Sequence, residues 1–371
     1  MKIMLVINSL GRGGAERIMT ALGNHWAETG HQITLVTFSA DQQIIYRLNP
    51  AIQRVCLDFG GKSRSVVGAL ARNIRGILRL RRYLRTERPV VVVSFMMRAN
   101  VLILIASRGL NCKVIVSERS DPRHSHIRCV WFLLCRIMYK FADQVVLQTE
   151  AVKCWFQSAI GTAAYVVIPN PLTEGFVSEL PYARSLREIL NVGQEAKIVI
   201  ALGQLKKHKG FDFLIQAFNL VHIKHPRWHL VIFGEGEERH ALHGLAQQLD
   251  MDAYVHLPGL TESPRHMLTE SDMFVLSSRY EGFPNVLLEA MACGLPAVSF
   301  ACPSGPEEII THNRDGVLVK HGDVEGLSQA MALLMEDDSR RSILGNNARK
   351  SVQRYAPAMI LSRWDEMLGA K

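Results

Sequence analysis

Apolar and polar positions change period repeatedly along this chain. Lys2 to Asn8 is a nearly unbroken apolar run, too short for a helix and without polar alternation, which predicts a strand covered on both faces. A glycine-rich turn, Leu10-Gly11-Arg12-Gly13-Gly14, follows it, and from Ala15 to about Thr29 apolar residues recur at the spacing of an amphipathic helix. Gln32 to Phe38 predicts a second strand. Further strand-type runs at Pro89 to Phe95, Cys112 to Ser117, Asp143 to Gln148 and Ala164 to Ile168 have helical stretches between most of them. That alternation predicts a mostly parallel sheet with helices on both faces.

Pro169-Asn170-Pro171-Leu172 breaks the pattern, because each proline biases the residue before it away from helix. The linker between two domains is placed there. The pattern then restarts, with strands expected at Lys197 to Leu202, Trp228 to Phe233, Val255 to Leu257, Met273 to Leu276 and Ala297 to Phe300, and helices between them. Ser339 to Lys371 is helical in pattern but divided by Pro357, so the last helix is expected to turn away and pack back on the first domain. The chain therefore reads as α/β, with an N-terminal domain over 1–171, a C-terminal domain over 172–354 and a final helix over 355–371. Two such units imply a cleft, and ligands of these sheets sit outside the carboxyl ends of the strands.

A length of 371 residues and an apolar fraction of 48% agree with two buried cores. No apolar run reaches the ~18 to 20 residues that span a bilayer, and the opening segment lacks a signal-peptide pattern, so a cytoplasmic protein is expected. Seven cysteines, Cys56, Cys112, Cys129, Cys135, Cys154, Cys293 and Cys302, make no C-x-x-C pair and read as reduced core thiols. His124-x-His126 and His222-x-x-His225 lie in polar segments without nearby acidic or cysteine ligands, which predicts surface placement rather than a metal site. No D-x-D motif stands where a metal-dependent sugar transferase would need one, so no metal and no cofactor are expected.

Charge divides the chain unequally. Residues 1–172 hold 23 Lys and Arg against 9 Asp and Glu, and residues 173–371 hold 20 against 25. The basic half points to an anionic partner: nucleic acid, an anionic membrane surface or a phosphorylated substrate. Much of this charge lies between Leu70 and Arg88, where Arg72, Arg75, Arg79 and Arg82 recur at helical spacing beside an apolar stripe of Leu70, Ile74, Ile77 and Leu84. Such a helix suits an anionic membrane surface or a diphosphate-linked lipid, and its stripe equally suits a face packed on the sheet. A second stretch, Arg123 to Lys140, adds Trp131, Phe132, Leu133 and Leu134 among basic residues. Nucleic acid fits less well, since no helix-turn-helix, RNP-like strand or zinc spacing is present.

The sharpest local signal runs from Glu281 to Pro296. Gly282 to Asn285 form a tight loop, Val286 to Cys293 a helix, and Gly294-Leu295-Pro296 its stop. The helix N-terminus would offer free N–H groups to a diphosphate, and the carboxylates of Glu281 and Glu289 would accept hydrogen bonds from sugar hydroxyls. A second signal, Leu202 to Asp212, places the basic loop Lys206-Lys207-His208-Lys209 at a helix entrance, where a lysine can neutralise a departing diphosphate. Val116 to Arg123 supplies a third, a strand end carrying Glu118, Arg119 and Asp121, in which Arg119 either meets a ligand or forms a structural ion pair.

The Glu281 to Glu289 spacing resembles the E-x7-E signature of glycosyltransferase family 4, the retaining nucleotide-sugar glycosyltransferases of the GT-B fold, two Rossmann-like domains facing a deep cleft with a C-terminal helix crossing back. The likeness extends to Gly13-Gly14-Ala15-Glu16-Arg17 and Lys209-Gly210, and is strongest to N-acetylgalactosaminyltransferase-like enzymes that extend lipid-linked oligosaccharides in bacterial surface-polysaccharide assembly. The resemblance implies that Glu281 touches the transferred sugar and Glu289 the nucleotide ribose. It gives Phe283, Pro284, Asn285 and Val286 to the sugar and phosphates, and Leu260 to the donor. Lys209 matches the family lysine, whereas Gln204 stands where an arginine is usual and Arg119 where many relatives carry histidine; Arg119 is then expected to act ionically on phosphate or sugar. Gly13 and Gly14 become donor-diphosphate or acceptor contacts, and Arg12, Glu16 and Arg17 acceptor neighbours.

The expected activity is transfer of a hexose or N-acetylhexosamine, with retention, from a UDP-sugar to a polyprenyl-diphosphate-linked saccharide, at the inner face of the plasma membrane. An alternative is a nucleotide-sugar epimerase, which can share the fold. A non-catalytic nucleotide- or nucleic-acid-binding module is suggested by charge alone.

Overall fold

The computed structural model describes residues 1–11, 13–39, 46–60, 65–119, 121, 123, 129–161, 163–172 and 184–369. It divides into two compact units, Met1–Pro171 with Ala358–Lys371, and Leu172–Pro357.

The first unit opens with β1 (Lys2–Ile7), α1 (Gly14–Glu28), β2 (Gln32–Thr37), β3 (Gln53–Cys56) and α2 (Val66–Glu87). It continues through β4 (Val91–Phe95), α3 (Met97–Ala106), β5 (Lys113–Ser117), α4 (Cys129–Met138), β6 (Gln144–Leu147), α5 (Glu150–Ala159) and β7 (Tyr165–Val167). The strands form one parallel sheet in the order β3-β2-β1-β4-β5-β6-β7. All five residues of β4 are buried, as expected of a central strand covered on both faces. Helices α2 to α5 pack on one face, and α3 is buried on nearly every side.

The second unit contains α6 (Leu186–Leu190), β8 (Lys197–Leu202), α7 (Phe211–His222), β9 (Trp228–Phe233), α8 (Arg239–Gln248) and β10 (Val255–Gly259). Then come α9 (Pro264–Thr269), β11 (Met273–Leu276), α10 (Asn285–Ala292), β12 (Ala297–Ala301), α11 (Pro306–Ile309), β13 (Val317–Lys320), α12 (Val324–Glu336) and α13 (Asp338–Ser351). Its six parallel strands run β10-β9-β8-β11-β12-β13. Helices α7, α8 and α12 cover one face, and α6, α9 and α10 the other. The chain then returns to the first unit as α14 (Pro357–Leu368), which joins α1 on the face opposite α2. Asp323 and Asp337 cap α12 and α13 through the N–H groups of Gly326 and Arg340, both at 2.8 Å.

Four sequence expectations change. The strands β3 and β13 were not legible: β3 is largely exposed and exists by pairing with β2. The stripe predicted on α2 is divided, since Leu84 is buried and Ile77 packs on the core while Leu70 and Ile74 are 60% and 48% exposed. Of the cysteines read as core, Cys135 and Cys302 are buried, but Cys56 and Cys154 are exposed. His222, expected at the surface, is buried 3.9 Å from the Tyr254 ring; His124 and His126 lie outside the described residues, as does Arg12. No helix among the described residues is long and apolar enough to cross a membrane.

Candidate active site

The loops at the carboxyl ends of β8, β11 and β12 meet around Glu281. Glu281 is 8% exposed. Its Oε1 accepts hydrogen bonds from Lys209 Nζ at 2.7 Å and from Ser278 Oγ at 2.6 Å. Ser304, at a left-handed φ of 57° after β12, donates its hydroxyl to the Glu281 carbonyl at 2.6 Å. A Cβ on the next residue, Gly305, would press on the Pro284 ring at 2.6 Å, so glycine permits this approach. Glutamate and lysine thus stand as a preformed, largely buried ion pair, which is stronger here than the same pair in water.

Helix α10 begins at Asn285, one residue before the predicted start, with Pro284 as its N-cap and the Pro284 carbonyl accepting from Leu287 at 3.0 Å. Glu289 follows one turn into α10 and is 7% exposed. Phe283 turns inward and meets Tyr355 edge-on, centroids 5.7 Å apart, so its side chain belongs to the core and only its backbone faces the loop. Burial pushes the thiols of Cys293 and Cys302 up to about 11 and about 12, which keeps both protonated beside this site. Gln204 is exposed, Leu260 is 62% exposed just past β10, and Lys207 is held by Asp212 at 2.9 Å.

The remaining predicted residues belong to the first unit. Gly13 is the N-cap of α1, and a Cβ there would overlap the Glu16 carboxylate, which folds back over the helix start. Gly14 and Arg17 lie in the first turn of α1. On α2, Arg79 donates to the Leu57 and Asp58 carbonyls at 3.0 and 3.3 Å, which gives it a structural task, while Arg75 and Arg82 are exposed and Arg72 is half-buried. Arg119 is 9% exposed, donates to Asn170 Oδ1 at 2.9 Å, and lies over the rings of Phe95 and Trp364 at 4.4 and 5.3 Å. Burial draws it down to about 9, so it stays charged at neutral pH. Its Nε and Nη2 have no hydrogen-bond partner among the described residues.

Beside it, Glu118 is 3% exposed and accepts from Asn100 Nδ2 at 2.9 Å and from the Tyr139 hydroxyl. Burial outweighs these bonds and pushes its pKa up to about 7. A carboxyl raised from 4.5 holds its proton more tightly when folded, so its contribution to stability is complete below about pH 4.5 and is lost as pH rises through about 7. Glu118→Gln is expected to abolish that loss, a difference of about 3 kcal/mol at most between pH 4.5 and 8. Urea midpoints measured across that range would show it; parallel curves for wild type and variant would refute it.

Sequence reasoning passed over Ser278, Ser304, Arg279 and Asp212. Ser278 and Arg279 lay in plain view as neighbours of Glu281, but their roles depend on loops brought together from distant positions.

Two Rossmann-like units with parallel sheets, the second carrying an acid–lysine pair at its strand ends, define a glycosyltransferase of the GT-B type. Residues 12–174 match the model of Glycosyltransferase Family 4 and residues 183–351 that of Glycosyl transferases group 1, and the chain belongs to this family. It is 24% identical, over 99% of its length and 98% of the other's, to the Campylobacter jejuni GalNAc-alpha-(1->4)-GalNAc-alpha-(1->3)-diNAcBac-PP-undecaprenol alpha-1,4-N-acetyl-D-galactosaminyltransferase. It is 26% identical to the amylovoran biosynthesis glycosyltransferase AmsD of Erwinia amylovora, over 99% of each chain. The fold matches that of Anabaena HepE, crystallised in complex with UDP, with a TM-score of 0.83 at 21% identity over 100% of each chain. These relatives give the epimerase reading no support.

Proposed function

We propose that this glycosyltransferase moves a hexose or N-acetylhexosamine from UDP to a hydroxyl of a polyprenyl-diphosphate-linked saccharide, with retention and without a metal. The Lys209–Glu281 pair at the strand ends carries the proposal. Glu281 holds hydroxyls of the transferred sugar, and Glu289 the ribose. As the bond from the anomeric carbon to the diphosphate breaks, Lys209 exchanges part of its contact with Glu281 for the leaving phosphate, and the N–H groups at the start of α10 face the same charge. The acceptor oxygen bonds to the anomeric carbon on the face just vacated, and its proton passes to the departing diphosphate.

The named substrate of the Campylobacter relative supports the lipid-linked acceptor. The membrane location is supported by α2, where Val67, Leu70, Ile74 and Leu78 are 48–78% exposed beside Arg75, Arg82 and Arg85. A bilayer with anionic headgroups would take both the apolar stripe and the arginines. The test is a panel of labelled nucleotide sugars offered with membrane extracts bearing lipid-linked oligosaccharides, with and without EDTA. We expect label in the lipid fraction from one UDP-sugar, undiminished by EDTA. No incorporation from any donor would overturn the acceptor, loss with EDTA the metal independence, and isomerisation of donor alone the transferase reading.

A further inference from the structure

Lys209 has little regular structure to hold it. It ends a single 3-10 turn, Lys207–Lys209, and the next residue, Gly210, has a left-handed φ of 65°. All three carbonyls of that turn are taken by the segment following β11. Arg279 Nη1 donates to the Lys207 carbonyl at 2.7 Å, the Arg279 backbone N–H to the His208 carbonyl at 2.7 Å, and Ser277 Oγ to the Lys209 carbonyl at 3.1 Å. A Cβ at Gly210 would overlap the Ser277 carbonyl, so the two backbones touch and only glycine fits between them.

The Arg279 guanidinium extends beyond the turn. Nη1 and Nη2 donate to Oδ1 and Oδ2 of Asp212, each at 2.7 Å, in the first turn of α7. The Phe213 ring lies 3.9 Å beneath the guanidinium carbon. The His208 ring stacks on Tyr280 at 5.1 Å. Burial acts upward on the Asp212 carboxyl, but the bonds from Arg279 and Lys207 overcome it and hold it at about 2, so the carboxylate stays ionised throughout the working pH range. One arginine therefore binds the basic turn at two carbonyls, one through its guanidinium and one through its backbone N–H, and the helix behind it at two oxygens, while nearby in the same segment Glu281 Oε1 accepts from both Ser278 Oγ and Lys209 Nζ.

We propose that Arg279, acting through Asp212 and the carbonyls of Lys207 and His208, is the positioning residue that sets Lys209 against Glu281 for departure of the diphosphate. This rests on the donor chemistry proposed above. A planar, two-pronged guanidinium fixes both distance and direction, whereas the ammonium of a lysine supplies charge without a fork. Displacing a reacting group by about 1 Å costs on the order of 10²-fold in rate. Arg279 touches neither reacting atom and acts through the turn.

The test uses the full chain carrying Arg279→Lys, Arg279→Met or Asp212→Asn, assayed for kcat and KM with the UDP-sugar that supports transfer, for UDP affinity by calorimetry, and for Tm. Arg279→Lys is expected to keep most of the wild-type Tm, and UDP affinity within about threefold, yet to lose at least about 10-fold in kcat; Arg279→Met should lose about 10²-fold. If Arg279→Met does not fold, Arg279→Lys and Asp212→Asn decide the matter. A lysine variant with wild-type kcat, or kcat losses that merely follow Tm across the set, would overturn the inference. Glu281→Gln run alongside separates the two levels. If it retains full turnover, the donor chemistry itself is wrong; if it is inactive beside fully active Arg279 and Asp212 variants, only the positioning role falls.

Discussion

Glu281→Gln and Lys209→Met are each expected to lower kcat by on the order of 10² to 10³-fold, with UDP affinity changing far less in the glutamate variant than in the lysine variant. The asymmetry follows from the roles proposed above, in which Glu281 faces the sugar and Lys209 the diphosphate that UDP retains. The side chains of Lys209 and Glu281 are 18% and 9% exposed, so removing the lysine also leaves a buried carboxylate that accepts from Ser278 Oγ at 2.6 Å. We expect Lys209→Met to destabilise the second unit by about 2 kcal/mol for that reason. The double variant Lys209→Met with Glu281→Gln removes both charges and should recover most of this stability without recovering any activity. Steady-state kinetics and urea unfolding on the four proteins check the scheme. A double variant with recovered turnover, or single variants within twofold of wild-type kcat, would remove this pair from the chemistry.

The two-domain organisation was legible because parallel sheets buried on both faces require unbroken apolar strands, and β8, β9 and β11 begin and end where their apolar runs do. The loop of Glu281 was legible for a related reason, since a tight turn, a helix and a glycine stop occupy contiguous positions. Strand β3 was not, because Gln53 and Arg54 carry no apolar signal and the strand is defined by its ladder to β2. Long-range polar contacts were equally hidden. Asp212 and Arg279 are separated by 67 positions, and each alone reads as an ordinary surface charge. The same applies to Arg119: its place in the sequence announced a strand end, but its aromatic neighbours come from β4 and from a helix near the end of the chain.

That last helix makes the second large prediction. Trp364 on α14 is fully buried, with Phe95 at 5.9 Å and Trp26 edge-on at 6.4 Å, and the Arg119 guanidinium lies above it. Trp364→Ala should therefore destabilise the first unit by about 4 kcal/mol, the cost of a large aromatic cavity, with about 1 kcal/mol more from the lost cation–π contact. The polar ties of α14 predict a much smaller effect. Asp365 accepts from Trp26 Nε1 at 2.8 Å and pairs with His25 at 3.0 Å, but its side chain is 38% exposed, so Asp365→Asn should cost no more than about 1 kcal/mol. Hydrogen exchange can localise the effect: in Trp364→Ala the amides of α1 and β1 should lose protection while those of β8 and β9 keep theirs. A Trp364→Ala loss below about 1 kcal/mol, or an equal loss of protection in both units, would contradict the view that this final helix completes the core of the first unit. Since Arg119 has Asn170 on one side and Trp364 on the other, the segments just before and just after the second unit converge on one buried cation. Loss of Trp364 should then loosen Asn170 as well, which exchange at Ile168 and Asn170 would register.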